Sequence, residues 1–179
     1  MDKADKIIRF DDVCLNSDYS NTVLITRIFQ EKGFKVIWAV SPLVHDNVGE
    51  RVFPKILNAY SDFRHFYKVD QAGIPAPIEG VTIASHGIVH VDHRMLGIDA
   101  QEMSILVSCS LLKSNMFVPP FNKWTKSMQI ICEENGIELV MFEDGWRSCE
   151  FNEYDQSHNL WYLHAREWTV EKMDKWLGY

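Results

Sequence analysis

Apolar residues in this chain gather into short runs separated by stretches with a helical repeat. "IIRFDDVC", Ile7 to Cys14, predicts a first strand over Lys6 to Phe10 that runs into two adjacent acids. Asn21 to Lys32 reads as a helix, with Val23, Leu24, Arg27 and Ile28 on its repeating face and Gly33 as its stop. "FKVIWAV", Phe34 to Val40, is continuously apolar, as in a strand covered on both faces. A helix kinked near Pro54 is expected over Gly49 to Tyr60, and a third strand over Val81 to Ala84. Asp99, with Glu102 three residues on, predicts a capping-box start to a helix whose body, "EMSILVSCSLL", is apolar on most sides. "NMFVPP" is a short strand stopped by Pro119 and Pro120. A helix over Lys126 to Asn135 turns Met128, Ile131 and Cys132 inward and stops at Gly136. Strands at Ile137 to Glu143 and Leu160 to Ala165 and a helix at Thr169 to Leu177 complete the pattern.

Strands alternating with helices argue for an α/β fold with a largely parallel sheet. The polar clusters follow strands: Asp11 and Asp12, His86 and His90, Asn122 and Lys123, Glu143 to Trp146, and His164. The C-terminal ends of parallel strands are where α/β sites are built. On a regular strand Asp11 and Asp12 would face opposite ways, so a shared site requires a twist or turn beginning at Asp11.

The 179 residues fit a single domain, 1–179, and 46% hydrophobic with 24% charged residues is ordinary for a globular chain. A net charge of −7 without a basic tract argues against nucleic acid or an anionic membrane as partner. Cys14, Cys109, Cys132 and Cys149 form no CxxC pair, which favours a reducing compartment. "MDKADKIIRF" has no signal-peptide core, and no run approaches the ~18 apolar residues of a membrane span. The chain is expected in the cytoplasm; nothing in it sets an oligomeric state.

"SHGIVHVDHR" changes the picture most. His86 and His90, at i and i+4, can share a metal, with Asp11 or Asp12 as third ligand and positions left for water and substrate. One divalent ion, zinc by preference, would then lower the pKa of a ligated water to about 7. The zincin pattern fails because Gly87 follows His86. An Fe(II) oxygenase uses the same ligand set, but here the carboxylate precedes the histidines by some seventy positions in an α/β chain.

In order along the chain, "RFDD", "HGIVH", "VPPFN", "EDGW" and "WYLH" resemble the five motifs of the polysaccharide deacetylase superfamily, with its nodulation-type deacetylase domain. Their variants are most similar to a short cytoplasmic branch from O-antigen gene clusters, the WbmS type. The resemblance implies a distorted or incomplete (β/α) barrel of about seven strands. It also implies a metal-dependent hydrolase that removes acetyl or formyl from an amino sugar, as a small-molecule or lipid-linked substrate, in lipopolysaccharide synthesis.

Carried over by position, Asp11 resembles the catalytic base, Asp12, His86 and His90 the metal ligands, and His164 the general acid. Phe121 and Trp146 would line the acyl pocket, and Asn122, Lys123 and His93 are further candidates for substrate binding. Glu143, Asp144 or Glu167 could tune His164. The chain departs from the pattern at three places. The third-motif arginine falls on Val118, leaving Arg9 or Lys123 to supply a positive charge. Gly87 stands where a hydroxyl residue is expected, and Tyr162 replaces a leucine. The arginine's loss makes a metal- and sugar-binding relative without turnover the alternative.

Overall fold

The first strand alternates, and each of its faces serves a different core. The structure, a computed structural model, describes residues 6–13, 19–42, 78–140, 148–150, 160–164 and 167–177. β1 (Ile7–Val13) turns Ile8 and Phe10 into a cluster with Ile25 and Phe29 of α1 (Tyr19–Glu31). Ile7 joins the opposite cluster, formed by Ile37, Ala39, Ala84, Val118, Val140 and Leu160. By the two-residue period of a strand, Arg9 lies on the same side as Ile7.

β2 (Lys35–Val40), β3 (Val81–Ser85), β4 (Met116–Phe117), β5 (Glu138–Leu139), β6 (Ser148–Glu150) and β7 (Leu160–His164) complete one sheet. Its order is β5-β4-β3-β2-β1-β7-β6, with every adjacent pair parallel. Among the described residues β5 and β6 remain edges, so the sheet is a curled, incomplete (β/α) barrel, as expected. Register sets the site. Val40 pairs with Ser85, Ser85 with Phe117, and Asp11 with His164, so these strands end at one rim.

Several elements differ from the sequence expectation for identifiable reasons. β1 continues through both acids instead of stopping at Phe10. The buried stripe of α1 is Thr22, Ile25, Thr26 and Phe29, whereas Leu24 is exposed. Threonine is tolerated there because the Trp38 indole donates to Thr26 Oγ1 at 2.9 Å. α2 (Ile98–Leu112) starts from Gly97 with no side-chain cap, so the capping box expected at Asp99 does not form. Its buried face includes Gln101, Ser104 and Ser108, which serve the loop ahead of it.

α3 (Lys126–Glu134) buries Met128, Ile131 and Cys132 as expected, and the Thr125 side chain accepts from the Met128 N–H at its start. α4 (Val170–Leu177) closes the described chain. β6 was not signalled in advance, since "SCE" has no apolar run. The helix expected over Gly49 to Tyr60 lies outside the described residues. Among the described residues no helix is long and apolar enough to cross a membrane.

Candidate functional site

Two consecutive acids reach one rim because the strand breaks its own alternation. Asp12 has φ 59°, in the left-handed region, and the β1–β2 register shifts between Phe10 and Val13. The turn anticipated at Asp11 is therefore a bulge centred on Asp12. Both acids are buried, and each meets a different set of partners.

Asp12 Oδ1 lies 3.1 Å from His90 Nε2 and 3.5 Å from His86 Nε2, and Oδ2 lies 3.4 Å from His164 Nε2. The His86 Nδ1–H donates to the Val118 carbonyl at 2.8 Å. A carbonyl only accepts, so Nδ1 carries a proton and Nε2 is the ring nitrogen turned towards Asp12. One ligand atom each from Asp12, His86 and His90 falls within 4.8 Å of the others. Carboxylate oxygen and imidazole nitrogen converging in this way fit a divalent cation such as zinc. Burial raises the pKa of Asp12, but the His86 hydrogen bond and the charges of His86, His90 and His164 outweigh it. Its carboxyl is held well below the usual carboxylate range.

Below this cluster the histidine loop is braced against α2. His93 is fully buried; its Nδ1–H donates to the Val91 carbonyl at 2.9 Å and its Nε2 accepts from Ser104 Oγ at 2.8 Å. Burial pushes its pKa down to about 4, keeping the ring neutral. Gln101 Nε2 donates to the His93 and Leu96 carbonyls, and the Ile88 N–H donates to Ser104 Oγ. Gly87 sits directly on this imidazole: at φ 79°, a Cβ there would lie 2.6 Å from His93 Cε1. The glycine that replaces a hydroxyl residue is thus fitted to His93. This corrects the expectation that His93 contacts substrate, because the side chain lies under the loop with both nitrogens engaged.

Asp11 has a different neighbour. Arg9 Nε donates to Asp11 Oδ1 at 2.6 Å and Arg9 Nη2 donates to Oδ2 at 2.7 Å, both residues being buried. Arg9 Nη2 also donates to Asn122 Oδ1 at 2.5 Å, and the guanidinium carbon lies 5.4 Å from the Tyr162 ring centroid. Asn122 was expected at the substrate, yet its side-chain oxygen is taken by Arg9. Lys123 does not supply the missing charge: it is exposed, with Nζ 3.8 Å from Asp92.

Phe121 is 46% exposed and meets the His90 ring edge-on at 4.3 Å between centroids. His164 is 26% exposed, with Nδ1 3.8 Å from Glu167 Oε2. Trp146, Glu143 and Asp144 lie outside the described residues. Ser104 was not anticipated as part of the site's support. Its signal, a serine on the loop-facing side of an apolar helix, appears only once the loop is in place.

These features define a parallel, incompletely closed (β/α) barrel with a carboxylate–imidazole cluster at the C-terminal rim. No family model matches the sequence, and no curated protein matches it. Solved structures do. A CE4 family pseudoenzyme from Bacillus anthracis aligns with TM-score 0.59 and 12% identity, covering 98% of this chain and 60% of that one. A family 4 carbohydrate esterase from Streptomyces lividans, in complex with acetate, aligns with TM-score 0.55 and 12% identity over 96% of this chain and 83% of that one. A peptidoglycan N-acetylglucosamine deacetylase aligns with TM-score 0.59 and 15% identity over 97% and 80%. The chain thus spans only 60% of the length of the Bacillus anthracis protein. It shares the fold of the family 4 carbohydrate esterases.

Proposed function

We propose that this protein is a metal-dependent hydrolase that removes an N-acetyl or N-formyl group from an amino sugar. The observation carrying the reading is the convergence of Asp12, His86 and His90, with Asp11 and His164 paired across adjacent strands beside them. Fold neighbours that are family 4 esterases and deacetylases agree with it.

Asp12, His86 and His90 would hold a divalent ion, zinc in our reading, which when bound would supply Lewis-acid polarisation of an acyl carbonyl and acidify a water. Asp11 takes a proton from the attacking water as its oxygen bonds to the carbonyl carbon. His164 gives a proton to the amine nitrogen as the C–N bond breaks, leaving a carboxylate and a free amine. Phe121, beside His90, flanks the acyl group, and Lys123 contacts the sugar; a role for Trp146 is implied by the motif resemblance alone.

Free, buried thiols at Cys109 and Cys132 support a reducing, cytoplasmic setting. There the substrate would be a nucleotide- or lipid-linked precursor of a cell-surface polysaccharide such as O-antigen, as the WbmS-type resemblance implies. The test is acetate or formate release from N-acylated amino sugars by chelated and zinc-reloaded protein. Activity should vanish and return, and Asp11→Asn and His164→Ala should each abolish it with zinc retained. Full activity in both variants contradicts the assignment of base and acid.

The second reading, a relative that binds metal and sugar without turnover, draws on Val118 and on the pseudoenzyme among the fold neighbours. It predicts zinc binding with no acyl release. The same ligands in an Fe(II) oxygenase would instead couple Fe2+ to oxygen consumption.

A further inference from the structure

Position 118 carries no charge, yet the carboxylate beside the cluster is held by one. Val118 is completely buried among apolar side chains, with Ile37, Ala84 and Leu160 around it. Arg9, on β1, also lies on the side of the sheet that Ile7 turns to this cluster. It is fully buried and binds Asp11 through two parallel N–H···O contacts, two residues along the same strand. Arginine presents its donors as a rigid fork matched to a carboxylate, so this contact fixes where both oxygens point.

Two further groups hold the guanidinium. Asn122 Oδ1 accepts from Nη2, the nitrogen that also serves Asp11 Oδ2. To reach it, Phe121 and Asn122 both adopt positive φ, 58° and 56°. Two successive non-glycine residues in that region are costly and persist only where surrounding contacts enforce them. Tyr162, directly across the β1–β7 ladder, stacks its ring against the guanidinium.

We propose that Arg9 is the positioning residue for Asp11, locked from above by Asn122 and from the side by Tyr162. In this chain it does the work of a charge at position 118. The proposal rests on the hydrolase reading of the site and adds to it a residue that aims the base. It also links the two flanks of the rim, since the same loop sets Phe121 against His90 and Asn122 against Arg9.

The test uses zinc-loaded full-length protein with 4-nitrophenyl acetate as acyl probe. Arg9→Met keeps the bulk of the stem and removes the fork. It should lower kcat by about 10- to 100-fold, the usual loss for an orienting partner, with KM and zinc content nearly unchanged. Arg9→Lys should fall between, because one ammonium cannot engage both oxygens. Asn122→Gly permits the left-handed backbone but removes the acceptor, and should lower kcat in the same direction by less. Arg9→Met combined with Asp11→Asn should be no worse than Asp11→Asn alone. Wild-type kcat in Arg9→Met, or zinc loss that accounts for its defect, overturns the proposal.

A crystal structure of Arg9→Met decides the matter independently of turnover. The Asp11 carboxylate should leave its place, and an unmoved Asp11 overturns the proposal. If the wild-type protein does not hydrolyse the probe, that result counts against the hydrolase reading, and the Asp11 position still decides the role of Arg9.

Discussion

His86 donates its Nδ1–H to the carbonyl of Val118 at 2.8 Å, and this bond turns Nε2 of the same ring towards Asp12. Position 118 has no charged side chain, but its backbone still aims a ligand. The main-chain contact survives any residue whose backbone can sit there.

Asp12, His86 and His90 should therefore bind one equivalent of zinc. Removing one ligand, in His86→Ala or Asp12→Ala, should weaken affinity by at least about 100-fold, more than the 10- to 100-fold of an outer partner. Competition against a chromogenic chelator measures it. Unchanged affinity in Asp12→Ala would exclude Asp12 as a ligand.

Gly87 and Gly33 make a matched pair for a stability test. Both have positive φ, 79° and 81°, but a Cβ at Gly33 meets nothing within 4 Å whereas one at Gly87 meets His93 Cε1 at 2.6 Å. Gly33→Ala should cost roughly 1–2 kcal/mol, the backbone penalty alone. Gly87→Ala should cost about 1–3 kcal/mol more, from overpacking. Urea unfolding of the metal-free proteins separates the two; equal costs would remove His93 as the reason for the glycine.

The buried His93 ring gives a pH dependence of defined sign. Its folded pKa, about 4, lies below the ordinary 6.5. As pH falls the unfolded chain takes up the proton first. The contribution is thus complete above 6.5 and is lost as pH drops from 6.5 towards 4. At ~1.4 kcal/mol per pKa unit, the stability gap between wild type and His93→Gln should narrow by roughly 3 kcal/mol across that window. Chemical denaturation of both metal-free proteins at pH 7 and pH 4 reads it directly. A gap that is constant with pH would show that the ring is not held neutral.

Local pattern carried the fold well wherever one face of an element was plainly apolar. Phe34 to Val40 and the inward set Met128, Ile131 and Cys132 were readable because burial there follows hydrophobicity. The buried stripe of α1 differs from the expected one because it includes Thr22 and Thr26, and the tertiary contact of Thr26 with Trp38 is encoded by no local repeat. In the site, the types and positions of Asp12, His86 and His90 suggested a shared centre, and the three side chains do converge. Residues whose role depends on a partner far along the chain were not. His93 and Asn122 were both candidates for substrate binding, but the His93 ring is engaged by Val91 and Ser104 and packed against Gly87, and the Asn122 oxygen is occupied by Arg9. Arg9 itself was one of two candidates for the missing charge, and only the shared strand face singled it out over Lys123.

Every role proposed for the rim depends on Asp12, His86 and His90 converging on a metal ion with Asp11 and His164 beside it. The most direct measurement is a crystal structure of zinc-loaded protein, with anomalous data collected on both sides of the zinc edge. One zinc peak is expected, bonded to an Asp12 carboxylate oxygen and to Nε2 of His86 and His90, with coordination positions open towards Asp11 and His164. A zinc peak elsewhere, none at all, or both aspartates turned out into solvent would contradict it.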